Sequence, residues 1–380
     1  MNLEKIREEI DSIDSQLVHL LCRRMDCSQS VAEFKRKESI PVLNSEREQL
    51  ILQKVQKTGG DYGNYIYTIY QSIMESSRDL QNDVLVSDNT IVKEIEAARI
   101  NSVNYTAPNN VLCQGVAGAF SHEAAKCYFP NSNINFCSSF EDVFKAVDCG
   151  DFEVGIVPVE NSSAGSVSNV YDLILKYRHY IIGAIDMNIE QNLLGLKSAK
   201  LEDIKTVCSQ PHALAQCDEF IKNNRLVAEE YINTAVAAQI VSQKGDITCA
   251  AIGSKQAAEI YDLNIIESSI QTRQNNVTRF IVISKKLVIQ NDSDKISLVF
   301  TLPHTKGSLS STLTRFTRHG FNLTKIESRP TEEPFEYQFY LDFTGDSSDP
   351  NTIKLLASLF DEMPEFKFLG NYKEIEISHI

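Results

Sequence analysis

Apolar residues along the chain follow different spacings in three successive regions. From Asn2 to about Lys37 they recur at steps of three and four residues with no glycine or proline, which is typical of one amphipathic helix. At about 1.5 Å per residue such a helix would be about 54 Å long, too long for one small domain to cover. Two shorter helical patterns follow, from Ser45 to Lys57 and from Tyr62 to about Leu80. The first region is therefore predicted to be all-helical and to pair with a second copy in an intertwined dimer.

Strand and helix patterns alternate in the second region, which spans about 175 residues. Its strands, such as Phe152 to Val159, are almost entirely apolar and lead into clusters of small polar residues. Ligands bind at such strand ends in open α/β sheets. The pattern predicts a doubly wound α/β domain of two lobes with a cleft between them. The region ends in an apolar strand over Val277 to Ile283, with Thr278 and Arg279 at its start.

The third region has the order strand, helix, strand, strand, helix, strand between Lys295 and Glu374. This is the order of a ferredoxin-like α+β fold. The chain is thus predicted to be a multidomain protein. The predicted boundaries are residues 1–86 for the helical domain, 87–108 for a linker, 109–286 for the two-lobed α/β domain and 295–380 for the ferredoxin-like domain.

Composition and charge argue against several classes of function. The 380 residues are 42% hydrophobic and carry a formal charge of −14 without a Lys/Arg-rich block, whereas nucleic-acid binding needs a concentrated basic face. No apolar run reaches the roughly 18 residues of a membrane span, and no secretory signal is evident. The nine cysteines are scattered without a Cys-x-x-Cys pair, so we expect reduced thiols and neither a metal nor another cofactor. A soluble, cytoplasmic protein with no membrane or nucleic-acid partner is therefore predicted.

Helical spacing divides the cations of the first region between two directions. At about 100° per residue, Arg24 and Lys35 differ by only about 20° and share a face with Ser28 and Val31. Arg7 lies about 100° away from Arg24. Arg24 and Lys35 are therefore predicted to point into one bundle interior, and Arg7 to reach the site of a partner. The alternative for each is a solvated side chain, which is the usual state of a lysine or arginine on a helix.

Short motifs in the first region resemble the all-helical chorismate mutases. They lie between residues 3 and 81: Ile6-Arg7-Glu8, Arg23-Arg24, Lys35, Asn44-Ser45-Glu46-Arg47-Glu48 and Ser77-Arg78-Asp79-Leu80-Gln81. The resemblance implies that three arginines hold an enol-pyruvyl ether dianion: Arg7 from one protomer, with Arg24 and Arg47 from the other. A pericyclic rearrangement needs only a compact substrate conformer and donors aimed at the oxygen that gains charge.

The same resemblance implies roles for the other polar side chains of these motifs. Lys35 and Gln81 would donate hydrogen bonds to the ether oxygen. Glu48 would accept from a ring hydroxyl, and Ser77 would lie near a carboxylate. Asn44 stands where the relatives usually have Asp, and its carbonyl oxygen can still accept from a substrate hydroxyl. Mutase activity is therefore expected to survive this exchange.

Separated motifs in the second region resemble the prephenate dehydratases over about residues 109 to 285. They are Gly115 to Ala125, Glu160-Asn161-Ser162, Gly165-Ser166-Val167, Pro211 with Ala213 to Cys217, Asn233-Thr234-Ala235 and Thr278-Arg279-Phe280. One departure is Ser209-Gln210-Pro211-His212, because the relatives usually have Ser-His-Pro-Gln at these positions. No catalytic role is assigned to His212.

The resemblance implies that prephenate loses a carboxylate and a ring hydroxyl in the cleft. Because the product is aromatic, the reaction needs little more than help for the departing hydroxide. Thr278 is the first candidate for this role, and Glu160 is the second if burial raises its pKa. The expected substrate-binding residues are Asn161, Ser162, Arg279 and Phe280. Among them, Arg279 is expected to hold the pyruvyl carboxylate together with backbone amides of the turns at Gly115 and Asn161-Ser162.

The third region resembles the ACT regulatory domains that follow prephenate dehydratases. The resemblance is carried by Gly307-Ser308-Leu309, Phe321-Asn322-Leu323 and Glu327-Ser328-Arg329-Pro330. It implies an effector site for L-phenylalanine formed by Gly307, Asn322, Leu323, Glu327, Ser328 and Arg329. The alternative is a dimerisation module that binds no ligand.

Together the resemblances imply a bifunctional enzyme of phenylalanine biosynthesis, feedback-inhibited by L-phenylalanine. It would convert chorismate to prephenate and prephenate to phenylpyruvate as a cytoplasmic homodimer or higher homo-oligomer. Two alternatives remain open. One is a dehydratase whose helical region serves only as a dimerisation arm. The other is a solute-binding protein, since two α/β lobes with a cleft also describe solute receptors.

Overall fold

The computed structural model describes residues 2–38, 40–86, 89–102, 107–331, 333 and 336–376. Residues 87, 88 and 103–106 of the predicted linker lie outside these ranges, as do residues 377–380 of the predicted third domain. The chain forms two compact units, Met1–Ala97 with Leu298–Phe368 and Ala98–Ser297 with Leu369–Ile380. Each unit is therefore built from two separated stretches of sequence.

The described residues form helices and strands in the order that follows. The α-helices are α1 (Leu3–Glu38), α2 (Ser45–Thr58), α3 (Gly63–Leu85), α4 (Thr90–Ser102), α5 (Phe120–Tyr128), α6 (Phe140–Cys149), α7 (Ser168–Tyr177), α8 (Pro211–Gln216), α9 (Asp218–Asn223), α10 (Thr234–Lys244), α11 (Lys255–Ile260), α12 (Ser308–Arg318) and α13 (Pro350–Glu362), with short 3-10 helices at Gly60–Tyr62 and Leu201–Asp203. The strands are β1 (Asn110–Gln114), β2 (Asn133–Cys137), β3 (Val154–Asn161), β4 (Gly165–Ser166), β5 (Tyr180–Asn188), β6 (Asn192–Gly195), β7 (Thr206–Ser209), β8 (Val227–Glu230), β9 (Cys249–Gly253), β10 (Asn264–Glu267), β11 (Val277–Ser284), β12 (Lys295–Thr301), β13 (Leu323–Pro330), β14 (Tyr337–Thr344), β15 (Phe366–Tyr372) and β16 (Glu374–Glu376). Among these helices, none combines the length and apolar character needed to cross a bilayer.

The helical part of the first unit consists of α1, α2 and α3, and α3 packs against both of the others. The predicted long helix is confirmed, because α1 is continuous over 36 residues. Much of its apolar face is uncovered in one protomer. The most exposed apolar side chains of its first half are Leu3 at 59%, Ile10 at 50%, Ile13 at 48%, Leu17 at 50%, Val18 at 60% and Leu20 at 56%. A single protomer therefore leaves a long apolar stripe on α1 exposed.

The C-terminal region has the predicted ferredoxin-like order of elements. Its four strands are arranged β13-β14-β12-β15, with α12 after β12 and α13 after β14. Phe316 of α12 packs edge-on against Phe343 of β14, with ring centroids 5.2 Å apart. Within the first unit, α13 packs against α3, and Arg318 Nη2 lies 2.8 Å from Glu75 Oε2. Polar contacts therefore join the ferredoxin-like domain to the helical bundle.

The second unit contains the predicted two-lobed α/β domain, built on two mixed sheets. One sheet has the order β16-β5-β11-β3-β1-β2, with β4 beside β3, and the other has the order β10-β6-β9-β7-β8. The chain passes between the sheets twice, from β5 to β6 and from β10 to β11. In the first sheet, β11 is antiparallel to both neighbours, which places Thr278 beside Asn161 on one side and Met187 on the other. Thr278 thus lies where β11 enters the sheet from the other lobe.

One strand differs from the sequence prediction. The pattern predicts a single strand from Lys367 to Glu374, whereas β15 ends at Tyr372 and β16 pairs in parallel with β5, with Ile375 opposite Ile185. A segment of three residues is too short to show a periodic signal of its own. The α/β domain therefore receives an edge strand from beyond the ferredoxin-like domain.

Candidate active sites

A cavity of about 440 Å³ opens between α1, α2 and α3 in the first unit. Its polar lining is rich in cations. The charged and polar side chains that face it include Arg24, Lys35, Asn44, Arg47, Glu48, Ser77, Arg78 and Gln81. Because four of these are cations and one is an acid, the cavity suits a small dianion.

Arg24 and Lys35 are oriented by neutral partners. Arg24 Nη1 donates to the Ser77 hydroxyl and lies 3.5 Å from the Ile73 carbonyl oxygen, while Lys35 Nζ donates to the Val42 carbonyl oxygen at 2.5 Å. Burial lowers the pKa of Lys35, and the Glu48 carboxylate partly offsets that effect. A hydroxyl or a carbonyl fixes the direction of a cation without neutralising it. Both positive charges therefore remain available to an anionic ligand.

The start of α2 supplies three of the lining residues. Asn44 is the N-cap of this helix, and its Oδ1 accepts from the Arg47 backbone N–H at 3.0 Å. This cap fixes the first turn, from which Arg47 and Glu48 reach the cavity. The atom of Asn44 that was expected to accept from a substrate hydroxyl is thus already used as a helix cap. Its second lone pair and its amide N–H groups remain to meet a ligand.

Two residues near the end of α3 complete the lining. Gln81 Nε2 donates to the Ser77 carbonyl oxygen at 3.2 Å, which leaves one amide N–H for a ligand. Arg78 donates to Glu48, and its Nε lies 3.3 Å from Glu362 Oε2. Burial alone would lower the pKa of Arg78, but the Glu362 and Glu48 carboxylates outweigh burial and raise it. Arg78 follows Ser77 directly in the motif, yet the sequence reasoning assigned it no role.

Arg7 does not line this cavity. It precedes Arg24 by 17 residues on the same helix, which places the two about 25 Å apart along the helix axis. The structure therefore brings together the predicted residues of one protomer except Arg7.

The second unit has a cleft of about 300 Å³ between its two lobes. Thr278 and Phe280 of β11 line it together with Asn161 of β3. Thr278 Oγ1 accepts from Asn161 Nδ2 at 2.8 Å. The Asn161 side chain is itself fixed, because its Oδ1 accepts from the backbone N–H groups of Ser163 at 3.0 Å and Ala164 at 2.9 Å. With its oxygen accepting from Asn161, the Thr278 hydroxyl can donate its proton to a ligand in the cleft.

Four helices begin at this cleft. Ala119, Val167, Gln210 and Asn233 all line it, and they are the N-cap residues of α5, α7, α8 and α10. At α5, α7 and α8 no described side chain caps the helix, so first-turn N–H groups can bind a ligand, apart from Pro211 of α8, which has none, and Val170 of α7, which donates to the Val167 carbonyl oxygen. No lysine or arginine occurs among the described residues that line the cleft. The positive field there comes from helix dipoles.

The structure places Arg279 among carboxylates and outside the lining of the cleft. Its Nε and Nη2 each donate to Asp186 at 2.8 Å, and its Nη2 lies 2.7 Å from Glu374 Oε1. Burial alone would lower the pKa of Arg279, but these carboxylates raise it above its ordinary value. Neighbouring residues of a strand point to opposite faces of the sheet, so Thr278 faces the cleft and Arg279 does not line it.

Two other expected residues are also placed outside the cleft lining. Glu160 is not among the residues that line the cleft; it lies opposite Arg279 in the pairing of β3 with β11. The Ser162 hydroxyl accepts from the Val277 backbone N–H at 2.9 Å and donates to the Asn275 carbonyl oxygen at 3.2 Å. Ser162 therefore holds the entry of β11 in place and does not reach the cleft.

Comparison with known proteins gives a consistent assignment for all three regions. The family model for chorismate mutase type II matches residues 6–82, the model for prephenate dehydratase matches residues 111–287, and the ACT domain model matches residues 296–361. The bifunctional chorismate mutase/prephenate dehydratase of Buchnera aphidicola subsp. Acyrthosiphon pisum is 31% identical over 385 residues, covering 98% of this chain and 97% of that protein. The chain belongs to the bifunctional chorismate mutase/prephenate dehydratase family.

Other relatives agree with this assignment. The bifunctional chorismate mutase/prephenate dehydratase of Aquifex aeolicus is 31% identical and covers 97% of each chain. A crystal structure of prephenate dehydratase in complex with L-Phe from Arthrobacter aurescens is 28% identical with a TM-score of 0.63, covering 69% of this chain and 89% of that one. The chain is thus a chorismate mutase and a prephenate dehydratase followed by an ACT domain. The cavity of the first unit lies in the mutase domain, and the cleft of the second lies in the dehydratase domain.

The expected effector residues of the ACT domain fall in two places. Gly307 has a φ of 87° and is the N-cap of α12, a conformation that glycine adopts without strain. The adjoining cavity of about 500 Å³ is lined by Ser308 and Leu309 among others. The remaining expected residues lie on or just before β13 and do not line that cavity: Asn322, Leu323, Glu327, Ser328 and Arg329.

Proposed function

We propose that the cavity of the first unit binds chorismate through Arg24, Arg47 and Lys35. The observation that carries this assignment is that Arg24 and Lys35 are held by a hydroxyl and a carbonyl rather than by carboxylates. Their charges can therefore pull the two carboxylates of the substrate together into a compact conformer. Lys35 and Gln81 donate to the ether oxygen, which gains negative charge as its bond to the ring breaks. Both donors line the same cavity.

The other lining residues fix the ring in this proposal. Glu48 accepts from the ring hydroxyl, and Asn44 meets the same hydroxyl with the groups that helix capping leaves open. Ser77 lies near a carboxylate, since it already accepts from Arg24. No proton transfer or covalent step is needed, because the rearrangement is pericyclic. The enzyme contributes binding in the reactive conformation and electrostatic stabilisation.

We also propose that the enzyme is a homodimer or a higher homo-oligomer in which Arg7 completes the mutase site of a partner. Two observations support this. The apolar stripe on α1 is about half exposed in one protomer, and burying such a stripe contributes about 25 cal/mol per Å². Arg7 lies too far along α1 to reach its own cavity. An antiparallel pairing of two α1 helices would move Arg7 of each copy toward the other copy's cavity.

For the dehydratase we propose that Thr278 donates a proton or a hydrogen bond to the departing ring hydroxyl of prephenate. Asn161 presents the Thr278 hydroxyl with its proton free to donate. The helix N-termini around the cleft take over the role expected of Arg279 and hold the pyruvyl carboxylate. The carboxylate that leaves as CO₂ needs no strong cation beside it, since such a cation would oppose its conversion to a neutral molecule. A cleft without lysine or arginine in its described lining meets this condition.

The proposal also covers the effector of the ACT domain and the cellular location of the enzyme. The ACT domain binds L-phenylalanine at Gly307 and the residues around β13, which would meet in one site between two copies of the chain. Support comes from the relative from Arthrobacter aurescens that was crystallised with L-Phe. We place the enzyme in the cytoplasm, on the basis of its scattered cysteines, which are all free in the structure. Calorimetric titration with millimolar L-phenylalanine tests the effector, and absence of binding would contradict it.

Assays with the two substrates test the site assignments. Purified protein should convert chorismate to prephenate and added prephenate to phenylpyruvate. Lys35→Ala should abolish only the first reaction and Thr278→Ala only the second, the latter by roughly 10²–10³-fold as for a lost donor to a charged leaving oxygen. Thr278→Ser is the matched control and should be much milder. Loss of both activities in either alanine variant at normal folded content would contradict separate sites.

A further inference from the structure

A chain of four charged side chains links the mutase cavity to the ACT domain within the first unit. Arg78 donates to Glu48 in the cavity, its Nε lies 3.3 Å from Glu362 of α13, and Arg315 of α12 donates to the same Glu362 oxygen. Arg78, Glu362 and Arg315 are only 12%, 8% and 3% exposed. Water therefore screens their mutual interactions weakly.

Two groups compete for the carboxylate oxygen atoms of Glu48, a substrate hydroxyl and Arg78. It is the only acid among the described residues that line the mutase cavity, and it is the proposed acceptor for a ring hydroxyl of chorismate. It also accepts from Arg78. An unshared guanidinium would draw Glu48 toward itself and occupy the lone pairs that the substrate needs. Glu362, whose Oε2 lies 3.3 Å from Arg78 Nε, takes part of the charge of Arg78 and so weakens this pull on Glu48.

We propose that Glu362 of the ACT domain is a positioning residue for the mutase reaction. By sharing Arg78, it keeps Glu48 available to the substrate hydroxyl, so that the C-terminal domain completes the mutase site of its own first unit. Glu362 itself is not among the residues that line the cavity. The inference rests on the proposed role of Glu48 and extends it, through Arg78, to a residue 314 positions further along the chain than Glu48.

Glu362→Gln in the full-length enzyme is the direct test, because glutamine keeps the shape and removes the charge. We expect KM for chorismate to rise about tenfold with kcat within twofold, since the ring hydroxyl makes and breaks no bond in the rearrangement and its contact acts about equally on ground and transition states. The direction of the change in KM separates this role from a simple effect of charge. Loss of a negative charge near the cavity would by itself attract a dianion and lower KM. An unchanged or lowered KM would overturn the inference.

Asp361→Asn is the matched control. Asp361 precedes Glu362 and accepts from Asn89 Nδ2 at 2.9 Å, so this variant also removes one charge and weakens a contact of α13. It should leave mutase KM unchanged. An equal rise in both variants would mean that any weakening of this contact impairs the mutase, which would overturn the specific role of Glu362. Turnover of added prephenate should be normal in both variants, and wild-type circular dichroism and thermal unfolding would report that the first unit is folded.

A double-mutant cycle shows whether the effect passes through Glu48. Glu48→Gln should itself raise KM strongly, and Glu362→Gln should add no further loss in that background. The same tenfold factor in both backgrounds would overturn the inference. A Glu48→Gln variant with normal KM would refute the proposed role of Glu48, and a wild-type enzyme inactive on chorismate would refute the mutase assignment. Either result would also overturn the inference about Glu362. The two results are distinguishable, because only the second leaves the wild-type enzyme without activity on chorismate.

Discussion

Arg279 is expected to stabilise the dehydratase domain and not to bind substrate, and Arg279→Met tests this. Its guanidinium makes two 2.8 Å hydrogen bonds to Asp186 and lies 2.7 Å from Glu374. Because the three side chains are 20%, 18% and 14% exposed, the substitution leaves the Asp186 carboxylate poorly solvated and without its cation, whereas Glu374 keeps its ion pair with Lys295. Removing one partner of a buried pair costs about 3–5 kcal/mol. We expect the lower end, about 3 kcal/mol, because partial exposure allows some solvation.

Calorimetry and dehydratase kinetics together measure this prediction. For a domain of roughly 200 residues, a loss of about 3 kcal/mol lowers the melting temperature by about 6–12 °C. Well below that temperature, KM for prephenate should stay within threefold of wild type. Replacing Asp186 by asparagine in the Arg279→Met background should recover part of the lost stability, because the uncompensated charge is removed while Glu374 keeps Lys295 as its partner. An unchanged melting temperature with a much higher KM would refute the reasoning and restore Arg279 as a carboxylate-binding residue.

Two further predictions concern the mutase. Because burial lowers the pKa of Lys35 from 10.5, kcat/KM for chorismate should fall on the alkaline side below the pH at which an ordinary lysine titrates, as the protonated donor is lost. Lys35→Arg should move that fall to higher pH, and a pH profile identical in both proteins would exclude Lys35 as the titrating group. Arg7→Ala and Arg24→Ala homodimers should each be inactive mutases, whereas a co-refolded mixture should recover part of the activity through heterodimers with one intact site. A mixture as inactive as its components would contradict a shared site.

Much of the fold could be predicted from local patterns. The spacing of apolar residues predicts the length of α1, and the order of elements predicts both the two-lobed and the ferredoxin-like domains. The period of a strand could also have separated Thr278 from Arg279, because adjacent residues face opposite sides. Arg279 was expected to bind substrate because of its place in a motif, whereas strand alternation puts its side chain on the face of the sheet opposite Thr278.

Other features depend on tertiary structure and have no local signal. Glu362 meets Arg78 across 284 positions, and neither residue lies in an unusual sequence context. Each helix start at the cleft can be recognised singly, but their convergence is a property of the folded lobes. The same holds for β16, whose partner β5 lies almost two hundred residues earlier in the chain.

The position of β16 has a consequence for how the protein is made. Glu374 leaves the ribosome about 90 residues after Ser284, the end of β11, which corresponds to roughly 5–20 s of synthesis at about 5–20 residues per second. Throughout that interval β5 has no neighbour on its outer side, and its sequence there is strongly apolar. An unpaired strand edge is a template for another chain. Several ribosomes that translate one mRNA hold nascent chains with the same unpaired β5 edge close to one another. The translation rate over residues 285–374 therefore sets the time during which these chains can pair wrongly with each other.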